Sequence, residues 1–172
     1  MPENQSNAIN KIPPQSLEAE QALLGSLLID KDAVIKVADI LRPEDFYRDI
    51  HAWVYEAMRD LYEAHEPIDV VSLSNRLEDK KQLEKIGGMS ALTSLANTVP
   101  TASNVVNYAN IVQKKATLRR LLSAATEISG IGYQEEEDVE KLLDEAEQSI
   151  FSVSQRYLKQ NFIPIRSVLS EA

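Results

Sequence analysis

The chain contains no cysteine, which excludes a disulfide framework and any thiolate-bound zinc. It has five glycines, Gly25, Gly87, Gly88, Gly130 and Gly132, and they make neither a Gly-Lys-Ser/Thr phosphate loop nor a dinucleotide fingerprint. Aromatic residues are sparse, with Trp53 the single tryptophan, so a core must rest on Leu, Ile, Val and Ala. No apolar run approaches the roughly 20 residues that span a bilayer. The polar opening Met1-Pro2-Glu3-Asn4-Gln5-Ser6-Asn7 lacks the basic-then-apolar order of a signal peptide. A reducing cytoplasm is the expected compartment. Cationic residues are also short, 18 Lys and Arg against 27 Asp and Glu, for a net charge of −9. Such a surface repels phosphate, so bulk binding of nucleic acid is disfavoured and a protein partner is the default.

Catalytic and metal chemistry find little to work with. Helical di-metal sites use Glu-x-x-His on inward faces, but Arg48 precedes His51 by three positions and Tyr62 precedes His65. His51 reads as a packing residue and His65 as a solvated helix end. The acidic stretch from Glu135 to Glu147 lacks the loop glycine and alternating oxygen ligands of a calcium loop, and reads as a solvated helix face. No nucleophile, base and orienting group assemble. No catalytic, cofactor-binding or metal-binding residue is therefore expected.

What is present is helical. A chain of 172 residues with 44% hydrophobic content suits one domain, or a small domain with an appendage. After Pro13-Pro14, Ser16 caps a helix whose Leu17, Leu24, Leu27 and Leu28 lie on one face, running to about Ile29. Asp30 caps a second with Ala33, Val34, Val37, Ala38 and Leu41, and Pro43-Glu44-Asp45-Phe46 reads as a single turn. From Asp49, Ile50, Trp53, Val54, Ala57 and Leu61 form the clearest amphipathic stripe of the first half. Asp69 begins the next helix, Gly87-Gly88 breaks it, and a short helix through Leu92 and Leu95 closes at Pro100. No stretch alternates like a strand. Residues 14–100 are expected to form one globular bundle of short helices.

Beyond Pro100 no proline occurs before Pro164. Two long helical patterns fill the interval and meet at Gly130-Ile131-Gly132, where glycine can take a left-handed cap. Val139, Leu143, Ala146, Ile150, Val153 and Tyr157 follow a 4-3 spacing, the seam of one helix lying along another. Ile111, Leu118, Leu122 and Ala125 offer a matching stripe, so an antiparallel hairpin roughly 35 to 45 Å long is expected. Leu121, Ile128 and Leu142 fall off that seam. Two helices cannot cover them, which implies a further hairpin from another copy or a partner. Lys114, Lys115, Arg119 and Arg120 form the one local basic patch. It pairs either with acids such as Glu145 and Glu147 within or between hairpins, or with DNA, as it would in a nucleic-acid-binding accessory module.

In order and spacing the chain resembles the N-terminal domain of bacterial replicative DNA helicases, the DnaB family. The resemblance rests on Pro13-Pro14, Glu18-Ala19-Glu20-Gln21, Leu24-Gly25, Pro43-Glu44-Asp45-Phe46-Tyr47, Glu66-Pro67-Ile68-Asp69 and Gly87-Gly88. It continues through Asn97-Thr98-Val99-Pro100-Thr101, Tyr108-Ala109, Ile111-Val112, Leu118-Arg119-Arg120-Leu121 and Asp144-Glu145-Ala146-Glu147. It implies an all-α domain, a bundle followed by a hairpin, that self-associates from dimer to hexamer as a collar above a ring of ATPase domains. The implied partners are the C-terminal helicase-binding domain of primase, carried over to Glu18, Leu122 and Ile128, and a helicase loader. Leu122 thus belongs to both the seam and the docking assignments. Where many relatives carry an aromatic after Gly-Gly, this chain has Ala91. Residues 1–13 read as a flexible tail, 101–158 as the hairpin, and 159–172 as a linker and the start of a linker helix. The motor that would bind ATP and magnesium is expected after Ala172, so this segment is expected neither to hydrolyse ATP nor to unwind DNA.

Overall fold

A computed structural model describes residues 11–135 and 138–161. Residues 1–10 of the tail, Glu136 and Glu137, and Phe162–Ala172, where the linker helix was expected to start, lie outside the described residues. Among those described there is no strand. The elements are α1 (Leu17–Ile29), α2 (Ala33–Val37), a 3-10 turn (Pro43–Asp45), α3 (Asp49–Glu63), α4 (Val70–Asp79), α5 (Leu83–Ile86), α6 (Gly88–Ala96), α7 (Val105–Ile131) and α8 (Val139–Asn161). No helix among them is long and apolar enough to cross a membrane.

The starts of α1 and α4 carry side-chain caps, whereas α2, α3, α5, α6 and α7 begin without one. Ser16 Oγ accepts the Ala19 amide at 3.3 Å, and Asp69 Oδ1 accepts the Ser72 amide at 2.8 Å. Each satisfies a donor that a helix start leaves without a partner. Gly87 ends α5 with φ of +102°, a left-handed conformation that side-chain-bearing residues rarely adopt. Gly132 ends α7 differently, in the right-handed region, so the left-handed cap expected at the hairpin tip is not used.

α1 runs through the centre of the bundle. Leu23, Leu24 and Leu27 are fully buried, with Val34, Leu41, Tyr55, Met58, Leu73 and Leu92 around them. α1 can approach α6 closely only because position 25 is glycine. A Cβ there would stand 2.3 Å from the Leu95 carbonyl oxygen. Tyr55 is buried beside Phe46, their ring centroids 5.0 Å apart, and its hydroxyl donates to the Leu41 carbonyl at 3.2 Å. Burial pushes the Tyr55 phenol up to about 12, because the charged phenolate would lose its solvation.

α7 belongs to the bundle in its first half. Val105, Ala109 and Val112 sit in the same core as the α1 leucines. The bundle therefore extends past Pro100, and only the second half of α7 pairs with α8 as a hairpin.

Candidate interaction surface

One helix can bury only one face against a flat neighbour. On α7 that face is Ala109, Val112, Gln113, Ala116, Ala124 and Ile131, all buried, with Arg120 partly covered among them. Its residues recur at three- and four-residue steps, so the face that meets the bundle runs on to become the face that meets α8. Leu118, Leu122 and Ala125 lie on the opposite side. Leu118 and Leu122 are exposed, Leu122 by 53%, and Ala125 is exposed as well. The expected leucine stripe is thus turned away from the hairpin seam.

α8 is rotated in the same sense. Its half-buried positions are Leu142, Ala146, Ser149, Val153, Arg156 and Gln160, again in 4-3 spacing but displaced from the expected set. Ala146 and Val153 belong to both. Val139, Leu143, Ile150 and Tyr157 are exposed, and Leu142 takes an inward place instead of an outward one. No residue of α8 is fully buried. The crevice between the helices is polar, with Ser149 donating to Glu127 at 2.7 Å.

What holds this register is Asp45. Its carboxylate is fully buried, and four donors converge on it. The Arg42 amide reaches Oδ2 at 2.8 Å and Gln160 Nε2 reaches the same oxygen at 3.2 Å. Arg120 pairs with Oδ1, and Arg156 approaches that oxygen at 3.3 Å while also bonding Glu44 at 2.9 Å. A buried carboxylate without such partners would cost several kcal/mol. Supplying them requires Arg120 of α7 and Arg156 of α8 to turn toward the 3-10 turn, which sets the rotation of both helices and leaves Leu118, Leu122 and Leu143 outside.

The charges respond accordingly. Burial, with the nearby Arg156, pulls the Arg120 guanidinium down to about 10, still fully cationic near neutrality. Burial pushes the Glu44 carboxyl up, but its backbone hydrogen bond and Arg156 outweigh that and hold it below its usual value. Arg119 donates to the Pro14 carbonyl at 2.7 Å and to the Asp45 carbonyl at 2.6 Å, with its guanidinium 5.5 Å from the Tyr47 ring centre. Burial lowers the Arg119 guanidinium from its ordinary value, partly opposed by Glu20 and Tyr47.

The expected pairing of Arg119 and Arg120 with Glu145 and Glu147 is therefore replaced by pairing with the globular domain. Of the basic patch, Lys114 is exposed and Lys115 half-buried, and the two arginines serve as internal struts. Asp45 escaped the sequence reading. Its only local sign was the acid of a Pro-Glu-Asp turn, while its principal partners are 75 to 115 residues away.

The other site residues fall as follows. Glu18 is exposed on the first turn of α1, Leu121 is 46% exposed on α7, and Ile128 is half-buried. Phe151 and Leu158 add to the exposed apolar area on α8. Among the described residues no group of three or more His, Asp or Glu stands ready for a metal. The surface can offer apolar contact along two helices, with no assembled chemistry.

Comparison with known proteins agrees in family. A family model described as the DnaB-like helicase N terminal domain matches residues 12–114. The replicative DNA helicase DnaB of Geobacillus stearothermophilus is 46% identical over 159 residues, covering 92% of this chain and 35% of that protein. The chain thus spans about a third of the length of the curated relatives it matches. The crystal structure of the N-terminal domain of DnaB helicase from Mycobacterium tuberculosis superposes with a TM-score of 0.79 at 45% identity, covering 83% of this chain and 99% of that one. A DnaB-like replicative helicase, studied with its interactions with primase, superposes with a TM-score of 0.67 at 26% identity, covering 80% of this chain and 31% of that one.

Proposed function

We propose, for a chain that belongs to the DnaB-like helicase N-terminal domain family, that it is the collar of a replicative DNA helicase, an assembly and docking domain without chemistry of its own. The observation that carries this reading is the outward apolar area of α7 and α8: Leu118, Leu121 and Leu122 on one helix, Val139, Leu143 and Ile150 on the other. Fully burying one such side chain is worth about 1.5–3 kcal/mol, so leaving a row of them in water is costly unless a partner covers them. Other copies of the hairpin are the first partner, building dimers and then a hexamer. Primase is the second, through its helicase-binding domain, at Glu18, Leu121 and Leu122, with Ile128 and Leu142 at the margin. A helicase loader would share this collar. The ATP-driven unwinding itself would belong to a motor outside this segment.

Light scattering over a wide concentration range, alone and with the helicase-binding domain of primase, tests the reading. The mass should rise with concentration, and primase should co-elute. A strict monomer at high concentration that also ignores primase would overturn it. The nucleic-acid reading is weakened by the inward use of Arg119 and Arg120, and a gel shift with forked DNA should give no salt-sensitive binding.

A further inference from the structure

At the root of the hairpin, the 3-10 turn, α3 and α8 meet around a polar cleft of about 750 Å³, well inside the range for small-molecule sites. Three cations line it from three parts of the chain: Arg42 before the 3-10 turn, Arg59 on α3 and Lys159 near the end of α8. Asp39, Glu44 and Gln160 line it as well.

Sorting these charges by partner leaves the cleft positive. Glu44 is taken by Arg156 at 2.9 Å, and Asp45 behind it by Arg120 and Arg156. Among the described residues neither Arg42 nor Lys159 is in an ion pair, and Arg59 reaches only Glu63, at 3.6 Å. That carboxylate is 68% exposed, so water screens the pair. Asp39 is the one uncommitted acid facing the three cations. Burial, then the charges of Arg156 and Arg42, lowers the Arg120 guanidinium, so the cations around this turn repel one another. On a chain of net charge −9, such a local positive excess is a property of the fold.

We infer that this cleft binds a small phosphate monoester, its dianionic phosphate held by Arg42, Arg59 and Lys159. Guanidinium forks match phosphate oxygens in pairs, and the flexible lysine adds a point charge. The volume leaves room for an organic part such as a sugar. Gln160 donates Nε2 to Asp45 at 3.2 Å, and its buried Oε1 has no partner among the described residues. A sugar hydroxyl can donate to such an acceptor, whereas a bare phosphate dianion cannot. A nucleic-acid backbone fits less well. Each of its diesters carries a single charge, and Asp39 and Glu44 beside the cations repel the phosphates that follow.

The test is a titration of the full chain with ribose-5-phosphate at low ionic strength, read by phosphorus NMR and calorimetry. Saturable binding is expected, with inorganic phosphate weaker and ribose not bound. No saturation at millimolar ribose-5-phosphate, or equal binding of ribose or of inorganic phosphate, would overturn the assignment. Lys159→Gln, an exposed position, should keep its helical spectrum and lose affinity about tenfold. Lys114→Gln, exposed on α7 outside the cleft, should leave affinity unchanged. An equal loss in both variants would reduce the effect to bulk charge, and unchanged binding in Lys159→Gln would place the ligand elsewhere; either ends the proposal. A single-stranded oligonucleotide that displaces ribose-5-phosphate would make the cleft a backbone contact, which also overturns it.

Discussion

Arg120 and Asp45 form an ion pair in which the acid is wholly buried and the base is about four-fifths covered, joining the long helix α7 to the 3-10 turn of the bundle. Arg156 and Gln160 add α8 to the same carboxylate. One acid therefore ties three parts of the chain, and the orientation of every outward leucine depends on it.

Asp45→Ala should be strongly destabilising, because it strands Arg120 and Arg156 beside each other with no counter-charge. Removing one partner of a buried pair costs about 3–5 kcal/mol. The partial exposure of both arginines argues for the lower end, about 3 kcal/mol. Urea denaturation would measure it. Hydrogen exchange should show the loss first in α8, which has no fully buried residue to hold it otherwise.

Gly25→Ala should cost about 1–3 kcal/mol, the usual range for overpacking a filled core. The added methyl meets backbone, the Leu95 carbonyl at 2.3 Å, so no side-chain rotation can relieve it. Thermal unfolding of the variant checks this. An unchanged melting temperature would mean that α1 and α6 have room for a methyl between them.

Leu122→Glu should separate folding from assembly. The side chain is 53% exposed in the single chain, so monomer stability should change by less than about 0.5 kcal/mol. Concentration-dependent association should fall, since an unpaired charge would be carried into an apolar contact. Circular dichroism and light scattering on one sample would report both quantities.

Alkaline pH should weaken the fold through Tyr55. Its phenol is raised from 10 to about 12 in the folded chain, so between these values the folded state holds a proton that the unfolded state has lost. Stability from this group is fully present below pH 10 and is lost as pH rises toward 12, by about 2–3 kcal/mol at the limit. In Tyr55→Phe the decline over that window should flatten. Denaturant midpoints at pH 9, 10 and 11 would show the difference.

Much of the helical framework was legible in one dimension. Ser16 and Asp69 announce their caps, Gly87 its break, and Val54, Ala57 and Leu61 of the expected stripe its buried face, with Ile50 and Trp53 half-buried beside it, because capping and amphipathic spacing are properties of neighbouring residues. The motif series along Pro13 to Glu147 likewise carried the family, which the match over residues 12–114 then showed. What could not be read was the rotation of the hairpin. α7 carries apolar residues on opposite sides, Val112 and Ala116 on one and Leu118 and Leu122 on the other, so periodicity alone offers two equivalent seams. The choice between them is electrostatic and distant in sequence. A buried carboxylate at position 45 needs the cations at 120 and 156, and meeting that need turns the small and polar face inward and leaves the leucines for other contacts.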